Sequence, residues 1–205
     1  MADKLEIKIC GIRRMEDIEI VNRYKPDYIG FILAKGYRRT VSPQKAAELS
    51  AALEDGIKTV GVFVNSPVSE VEEYQRIADL DAVQLHGDED EEYIKQLHVP
   101  CEVWQVVRVR NGAEIRDVKG ADRILLDKYD SSCAGGTGET FDRSELGEVS
   151  TKMPLILAGG LSAENVRERV KLFKPQGIDV SSSVETDGIK DEEKIKEFIN
   201  IVRMI

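Results

Sequence analysis

The sequence has no long hydrophobic run. No apolar stretch approaches the roughly 20 residues that a helix needs to cross a bilayer. The first ten residues, MADKLEIKIC, also lack the apolar region and the cleavage site of a signal peptide. We therefore expect a cytoplasmic protein with no membrane partner.

The sequence has no excess of positive charge. Its 29 Lys and Arg residues are outnumbered by 38 Asp and Glu residues, which gives a formal net charge of −9. A protein that binds the nucleic-acid backbone needs a basic surface, so no nucleic-acid partner is expected. A small anionic substrate remains compatible with this charge, because a few local donors suffice to bind it.

Cysteine and histidine are also scarce. The three cysteines, Cys10, Cys101 and Cys133, form no Cys-x-x-Cys pair and do not cluster with either His86 or His98. Sparse, unpaired thiols are typical of a reducing compartment and indicate neither a disulfide framework nor a metal site.

What the sequence does contain is a series of short, β-branched apolar runs, spaced roughly 20 to 30 residues apart as in βα units. Eight such strands with helices between them, in a chain of about 200 residues, match the minimum size of a (β/α)8 TIM barrel. We therefore predict a TIM barrel that forms a single domain over residues 1–205. A doubly wound open sheet is the alternative, and the even spacing favours closure. The runs are KLEIKIC, DYIGFIL, KTVGVFVN, DAVQLH, EVWQVV, DRILLD, PLILAGG and GIDVSSS.

Helices are expected in the segments between these strands. Ser42-Pro43 and Ser66-Pro67 each predict an N-cap followed by proline at the first helical position. A final amphipathic helix is predicted from an apolar stripe at helical spacing. The stripe consists of Ile195, Phe198, Ile199 and Val202.

The first strand ends in a cysteine at the rim where barrel enzymes work, the carboxyl ends of the strands. Alternation puts Glu6, Lys8 and Cys10 on one face of LEIKIC, and we expect that face to point into the barrel with Glu6 and Lys8 as an ion pair. A lone cysteine is usually a small buried hydrophobe. Cys10 is nevertheless a candidate reactive group, because it ends its strand against a glycine, whereas Cys101 starts a strand at the opposite rim.

Asp127 ends the sixth strand, RILLD, on the same face as Arg123. An aspartate in this position is often only a helix cap or a turn former. Facing Cys10 across a pocket, it could instead act as an acid while the thiol acts as a base. The spacing alone leaves both explanations open.

Phosphate binding is predicted in the loops after strands seven and eight, the usual phosphate site of this fold. LILAGGLSAENV contains Gly159-Gly160 and then Ser162 as a predicted N-cap, and backbone amides at a helix N-terminus form an anion site. The next strand ends in DVSSSVE, where Ser181–Ser183 offer hydroxyls and amides. The ordinary explanation is that both segments are plain turns, and their joint occurrence in these two loops favours phosphate.

Three other features lie near the predicted rim. Arg38 and Arg39 are either a solvated turn or the source of a clamp for an anionic group. His86, at the end of strand four, is either a hydrogen-bonded rim histidine or a residue with a catalytic role. The glycine-rich loop at 134–139 is either a flexible surface loop or a lid over the ligand.

Taken together, several segments resemble phosphoribosylanthranilate isomerase of tryptophan biosynthesis. The resemblance implies a (β/α)8 barrel that converts N-(5-phosphoribosyl)anthranilate, a small phosphorylated substrate, to carboxyphenylamino-deoxyribulose phosphate without metal or cofactor. In this Amadori rearrangement a carboxylic acid protonates the ring oxygen and a thiolate removes the proton from C2. The matching segments are KICGI, GFIL, VGVFVN, VQLHGDE, LLD, GGTGETFD, LAGGLSAENV and DVSSSVE with GIKD.

The resemblance also implies residue roles. The family's base falls on Cys10 and its acid on Asp127. Its substrate-binding arginine falls on Arg39, and Asp179 and His86 are expected to contact the substrate. The phosphate site falls on Gly159, Gly160, Ser182 and Ser183.

Two departures from the family pattern stand out. Ser183 replaces the glycine of SSGVE, which would cost something like 1 kcal/mol if that position requires positive φ. The loop AKGYRRTV leaves the choice between Arg38 and Arg39 open, with Arg39 preferred. A thiol of ordinary pKa, near 8.5, is mostly protonated at neutral pH, and only Lys8, one pleat below Cys10, suggests an activating group.

Three alternatives remain. The related aldose–ketose isomerase of histidine biosynthesis resembles this chain in fold but carries an aspartate where Cys10 stands. A phosphate-binding barrel without turnover is the second alternative, and a redox or covalent nucleophile at Cys10 is the third. The sequence has no additional apolar segment that would form an interface with a second subunit. A monomer is therefore expected, and a homodimer is left open.

Overall fold

Eight parallel strands close into a barrel, which confirms the predicted (β/α)8 fold. The structure is a computed structural model that describes residues 4–109, 113–128 and 146–205. Around the barrel the strands follow one another in chain order, and closure comes from pairing of the last strand with the first. The strands are β1 Glu6–Cys10, β2 Tyr28–Ile32, β3 Lys58–Phe63, β4 Ala82–Leu85, β5 Glu102–Val109, β6 Arg123–Lys128, β7 Leu155–Leu157 and β8 Gly177–Val180.

Six α-helices in the described residues accompany the strands. They are α1 Met15–Tyr24, α2 Pro43–Ser50, α3 Val68–Ala78, α4 Glu91–Gln96, α5 Val166–Phe173 and α6 Glu192–Arg203. None of them is long and apolar enough to span a membrane.

Side-chain alternation along the strands creates two separate apolar layers. Ile7 and Ile9 of β1 belong to the outer layer, which the strands share with the helices. A smaller cluster fills the inside of the barrel, where Trp104 and Leu125 are fully buried and Tyr28 packs edge-to-face on Trp104, with ring centroids 5.0 Å apart. The inner cluster fills the barrel below its carboxyl-terminal mouth, so polar groups on the same faces come together at the mouth.

The predicted helix starts hold in part. Ser42 caps α2, because its hydroxyl accepts a hydrogen bond from the Lys45 amide at 3.1 Å, and Pro43 is the first helical residue. The prediction for Ser66-Pro67 is wrong by one residue: Pro67 itself is the N-cap of α3, and the helix begins at Val68. The apolar stripe of α6 is confirmed, since all four of its residues are buried.

The helix expected between β5 and β6 is not present in the described residues. Ala113–Arg116 instead forms a strand that pairs in parallel with Leu146–Ser150, outside the barrel. The chain then turns through Lys119-Gly120 into β6. This segment has found a strand partner 30 or more residues further along the chain, which local periodicity does not reveal.

The predicted ion pair between Glu6 and Lys8 is also wrong. The Lys8 ammonium donates to Asp179 of β8 at 2.9 Å, whereas Glu6 pairs with Arg123. Lys8 and Asp179 are direct neighbours in the register of β1 with β8. Adjacent strands lie about 4.8 Å apart, closer than residues i and i+2 of one strand, so the cross-strand partner wins.

A short hairpin follows β8. After a 3-10 turn at Ser182–Val184, residues 185–186 pair antiparallel with residues 189–190. Asp187 and Gly188 both have positive φ, +52° and +75°, as the two-residue turn of a tight hairpin requires. We refer to residues 185–190 as the 185–190 hairpin.

Candidate active site

A cavity of about 300 Å³ opens at the carboxyl ends of the strands. Every residue assigned to the site from the sequence lines this one cavity, although the residues come from β1, β6 and β8 and from the loops after β2, β4, β7 and β8. They are Cys10, Arg39, His86, Asp127, Gly159, Gly160, Asp179, Ser182 and Ser183.

Cys10 ends β1 with its thiol next to a buried ammonium group. Lys8 is 1% exposed, and a Cβ atom on Gly30 would lie 2.8 Å from the Cys10 sulfur and 3.1 Å from Cε of Lys8. The thiol and the lysine therefore share the space above this glycine of β2. Burial lowers the pKa of Lys8, but Asp179 and Cys10 raise it by more. Its pKa is therefore above the ordinary value, and Lys8 stays protonated.

Asp127, the residue before the last one of β6, is in contact with His86. The His86 Nε2 lies 3.0 Å from Oδ2 of Asp127, and Gln84 Nε2 lies 2.8 Å from the other ring nitrogen of His86. If the Gln84 amide donates to Nδ1, the ring proton is on Nε2 and points to Asp127. Gly159 allows β7 to approach this carboxyl group, since a Cβ there would come within 3.0 Å of Asp127 Oδ1.

Arg39 reaches the cavity from the loop after β2. Its Nη1 donates to the Ser181 hydroxyl and, at 3.0 Å, to Oε1 of Glu185. Gly11 has φ +85°, and a Cβ on it would lie only 3.1 Å from Arg39 Cδ and Nη1. Arg38 does not line the cavity and its side chain is 63% exposed, against 14% for Arg39. The geometry therefore favours Arg39 over Arg38.

The two predicted phosphate loops lie side by side. Gly159 and Gly160 both have positive φ, +78° and +65°, and the Ser183 hydroxyl donates to the Leu161 carbonyl across the gap between the loops. Ser183 lies in the 3-10 turn and its φ is not positive, so the expected strain of a serine here does not arise.

The predicted cap at Ser162 is wrong. The α5 helix begins at Val166 with Asn165 as its N-cap, and Ser162 opens the preceding turn, in which its amide donates to Asn165 Oδ1 at 2.9 Å. The extra turn fits between the glycines and the helix because Asn165 also donates to the Gly160 carbonyl at 2.8 Å. The N-cap is consequently three residues later in the chain than expected, and Asn165 itself lines the cavity.

The sequence analysis missed several residues at or beside the cavity. Gln84 could have been noticed, because it lies two residues before His86 on the same face of β4. The ion pair between Glu185 and Lys190 could not be predicted from the local sequence, because it forms only when the 185–190 hairpin folds and brings Glu185 into contact with Arg39. The lining also includes a wall of side chains from β2, β3 and the loops after them, namely Ile32, Tyr37, Val62 and Val64.

The described residues contain no group of three or more His, Cys, Asp or Glu side chains that could hold a metal ion. Cys101 immediately precedes β5, at the opposite rim from the cavity, and burial raises its pKa to about 12. Cys133 and the predicted lid at 134–139 lie outside the described residues.

The closed barrel and its polar cavity at the carboxyl ends of the strands define a (β/α)8-barrel enzyme. The family model for N-(5'phosphoribosyl)anthranilate (PRA) isomerase matches residues 7–201. A relative from Clostridium acetobutylicum, N-(5'-phosphoribosyl)anthranilate isomerase, is 49% identical over 97% of this chain and 98% of its own length. The chain therefore belongs to the N-(5'-phosphoribosyl)anthranilate isomerase family, whose members are isomerases.

Solved structures agree with this assignment. Phosphoribosyl anthranilate isomerase from Thermus thermophilus superimposes with a TM-score of 0.84 at 30% identity, covering 98% of this chain and 99% of its own. A second isomerase structure, in complex with reduced 1-(o-carboxyphenylamino)-1-deoxyribulose 5-phosphate, has a TM-score of 0.78 at 29% identity and covers 98% and 100% of the two chains. A third consists of monomers generated from the dimeric Thermotoga maritima isomerase, with a TM-score of 0.78 at 30% identity, covering 98% and 100%. Both monomeric and dimeric forms therefore occur among the similar structures.

Proposed function

We propose that this chain is the phosphoribosylanthranilate isomerase of tryptophan biosynthesis. In this proposal it converts N-(5-phosphoribosyl)anthranilate to 1-(2-carboxyphenylamino)-1-deoxyribulose 5-phosphate, with Asp127 as general acid and Cys10 as general base. The observation that carries the proposal is the cavity, which brings a thiol, a carboxyl group, an arginine and two glycine- and serine-containing loops to one mouth. Membership of the isomerase family supports the same substrate.

In the first step, Asp127 gives a proton to the ribose ring oxygen, the bond from C1 to that oxygen breaks, and a Schiff base forms at C1. The contact with His86 Nε2 at 3.0 Å orients the carboxyl group. The role of His86 is thereby refined from a substrate contact to a residue that positions the acid, although it also lines the cavity.

In the second step, the Cys10 thiolate takes the proton from C2, and the C–H electron pair forms the C1–C2 double bond of an enolamine. The buried Lys8 lies beside the thiol, so its ammonium group can interact with a negative charge on the sulfur during this step. Gain of a proton at C1 and loss of the proton from the C2 hydroxyl then give the ketone, so the product is an isomer of the substrate.

Substrate binding uses the remaining groups. Arg39 binds the carboxylate of the anthranilate ring, whose apolar face packs against the wall that contains Ile32 and Val64. The phosphate is bound by the loops that carry Gly159, Gly160, Ser182 and Ser183. Asp179 Oδ1 is buried and has no hydrogen-bond partner among the described residues, so it is available to a sugar hydroxyl.

The test is a fluorescence assay in which phosphoribosylanthranilate is generated in situ and its consumption is followed. The wild type is compared with Cys10→Ala and Asp127→Asn, and with Cys101→Ala as a matched control at the opposite rim. We expect turnover by the wild type and the control, and a loss of at least about 100-fold in kcat for each site variant, the usual range for a lost acid or base.

Circular dichroism verifies that each variant is folded. Full activity in folded Cys10→Ala would remove the thiol from the mechanism and leave the family assignment in place. A wild type that binds the reduced product but does not turn over the substrate would instead support the ligand-binding barrel.

Three further expectations belong to the proposal: a single domain, a cytoplasmic location and a monomer. Light scattering coupled to gel filtration tests the last of these, and a mass near twice that of the 22.9 kDa chain would contradict it.

A further inference from the structure

The proposed reaction makes no use of a buried ion pair behind the wall of the cavity. Glu185 and Lys190, at the two ends of the 185–190 hairpin, have side chains that are only 4% and 1% exposed. The Lys190 ammonium lies 2.8 Å from Oε1 of Glu185. Removing two charges from water is strongly unfavourable unless they are well paired, so a pair in this position calls for an explanation.

The Glu185 carboxylate is shared with the arginine of the cavity. Its Oε1 accepts from Lys190 Nζ and also from Arg39 Nη1, at 3.0 Å. Its Oε2 lies 3.3 Å from Nη2 of the exposed Arg38. One carboxylate therefore faces three cations, and the cluster retains a net positive charge beside the cavity.

The carboxylate is held firmly in place. Lys190 also donates to the Ser181 carbonyl at 2.9 Å, which ties the hairpin to the end of β8. Lys194 of α6 donates to the backbone carbonyl of Glu185 at 2.8 Å, and Arg13 donates to the Gly188 carbonyl at 2.9 Å. The hairpin is thus anchored to the end of β8, to α6 and to the loop after β1.

Burial opposes the charged form of both partners, and it lowers the pKa of Lys190 even though the contact with Glu185 at 2.8 Å raises it. Burial raises the pKa of Glu185, but Lys190 and Arg39 lower it by more, so its pKa lies below the ordinary value and the carboxylate stays ionised. Arg39 makes both of its contacts here through Nη1, to Ser181 and Glu185. The rest of its planar fork can then pair with a second carboxylate in the cavity.

We propose that Glu185 is the positioning residue of Arg39, and that Lys190 prevents Glu185 from neutralising it. Glu185 holds the guanidinium at the mouth in the orientation that binds the anionic ring of the substrate. Because Lys190 occupies the same carboxylate oxygen, Arg39 keeps charge for the substrate. The inference rests on the proposed function and extends it to the residues that set substrate affinity.

Three variants separate positioning from folding. Glu185→Gln keeps the shape but removes the charge, and it leaves Lys190 buried without a carboxylate. The double variant Glu185→Gln/Lys190→Met removes both charges, so stability should recover while Arg39 still lacks its partner. Glu102→Gln is the matched control, because Glu102 also pairs with an arginine, Arg123, but at the amino-terminal end of the barrel.

The measurements are kcat, KM and the midpoint of thermal unfolding. We expect KM to rise about 10-fold in Glu185→Gln and in the double variant, with kcat within about threefold of the wild type, as for a lost binding interaction that is equal in the ground and transition states. The unfolding midpoint should fall in Glu185→Gln and recover in the double variant. Glu102→Gln should lower the midpoint without changing KM.

A KM that returns to the wild-type value in the double variant would overturn the proposal, because affinity would then follow stability alone. An unchanged KM in both variants would overturn it as well. If Glu185→Gln does not fold, the double variant carries the test. If the wild type shows no turnover, the proposed function fails, and calorimetric titration with reduced 1-(o-carboxyphenylamino)-1-deoxyribulose 5-phosphate measures the same affinity difference directly.

Discussion

At the scale of single residues, the cavity depends on glycines that leave room for the working side chains. Gly11 lies against Arg39, Gly30 against the Cys10 sulfur, and Gly159 against the Asp127 carboxyl group. In each case a Cβ atom would come within about 3 Å of a functional group. The proposed catalytic groups can thus occupy their positions partly because glycine, which has no side chain, lies next to them.

Gly30→Ala tests this at the proposed base. The new methyl group would lie 2.8 Å from the Cys10 sulfur and 3.1 Å from Lys8 Cε, so the thiol must move. We expect kcat to fall at least about 10-fold, because small displacements of a catalytic group are costly. Gly177→Ala on β8 is the matched control, since its nearest neighbours are at 3.5 Å, and its kcat should be unchanged. Equal activity in both variants would contradict this account.

The sequence predicted which residues would meet at the mouth but not all of their partners. Alternation and the family motifs were sufficient to bring Cys10 and Asp127 to the same cavity. The partner of Lys8 was predicted wrongly because Asp179 lies 171 residues away and becomes a neighbour only through the register of β1 with β8. A single sequence carries no local signal for such a pair.

At the scale of elements, the 185–190 hairpin is joined to α6 by an N-cap. The Asp191 carboxylate accepts from the amides of Glu193 and Lys194, at 3.0 and 3.2 Å, and from the Thr186 hydroxyl at 2.7 Å. The Thr186 hydrogen bond and the amide of Lys194 lower the pKa of Asp191. Asp191 therefore links the start of the last helix to the strand that carries Glu185.

Asp191→Ala should lower the free energy of unfolding by about 1 kcal/mol at neutral pH, as expected for a lost N-cap. Because the folded-state pKa is below the unfolded value of 3.8, the carboxylate stabilises the fold above pH 3.8. This contribution is lost as the pH falls through the folded-state pKa. Urea unfolding of wild type and variant at pH 7 and near pH 3 measures the difference, and a gap that widens in acid would contradict the sign.

Elements were predicted better than their ends. All eight barrel strands lie within the runs chosen from the sequence or extend them by one or two residues. The starts of α3 and α5 were misplaced because Pro67 and the turn at Ser162–Asn165 allow more than one way of entering a helix. The strand at Ala113–Arg116 was missed because its partner lies beyond β6.

At the scale of the whole molecule, the two ends of the barrel have different tasks. The amino-terminal end is closed by Arg123, which pairs with Glu6 and Glu102 and donates to the Tyr28 hydroxyl at 3.0 Å. Its guanidinium also lies 5.4 Å from the centre of the Trp104 ring. No residue of this network lines the cavity.

Arg123→Met should therefore lower stability without affecting turnover. We expect a loss of about 2 kcal/mol, below the 3–5 kcal/mol typical of a fully buried pair, because the Glu6 and Glu102 side chains are about one-third exposed. Thermal unfolding measures the loss, and kcat/KM at a temperature where the variant is folded should stay within about twofold of the wild type. A large drop in kcat/KM in the folded variant would show that the two ends are coupled.

Composition predicts average properties of the molecule, such as its net charge, but not where individual charges meet. Counting strands was enough to predict a closed barrel. The net charge of −9, however, gives no sign of the three cations gathered around Glu185, because that cluster exists only after residues 38–39 and the 185–190 hairpin meet. The charge of this cluster beside the cavity is therefore opposite in sign to the net charge of the chain.

Closure of the barrel between β1 and β8 also has a consequence for the synthesis of the protein. Cys10 is synthesised well before Asp179, Glu185 and Lys190, which lie 169 or more residues later in the chain. Until these later residues emerge, Lys8 lacks the Asp179 carboxylate, Arg39 lacks its contact with Glu185, and the facing edges of β1 and β7 are unpaired because β8 belongs between them. A nascent chain that has not yet reached these residues can thus fold much of its wall but lacks part of the cavity lining, and the proposed site is assembled only after β8 and the 185–190 hairpin have emerged.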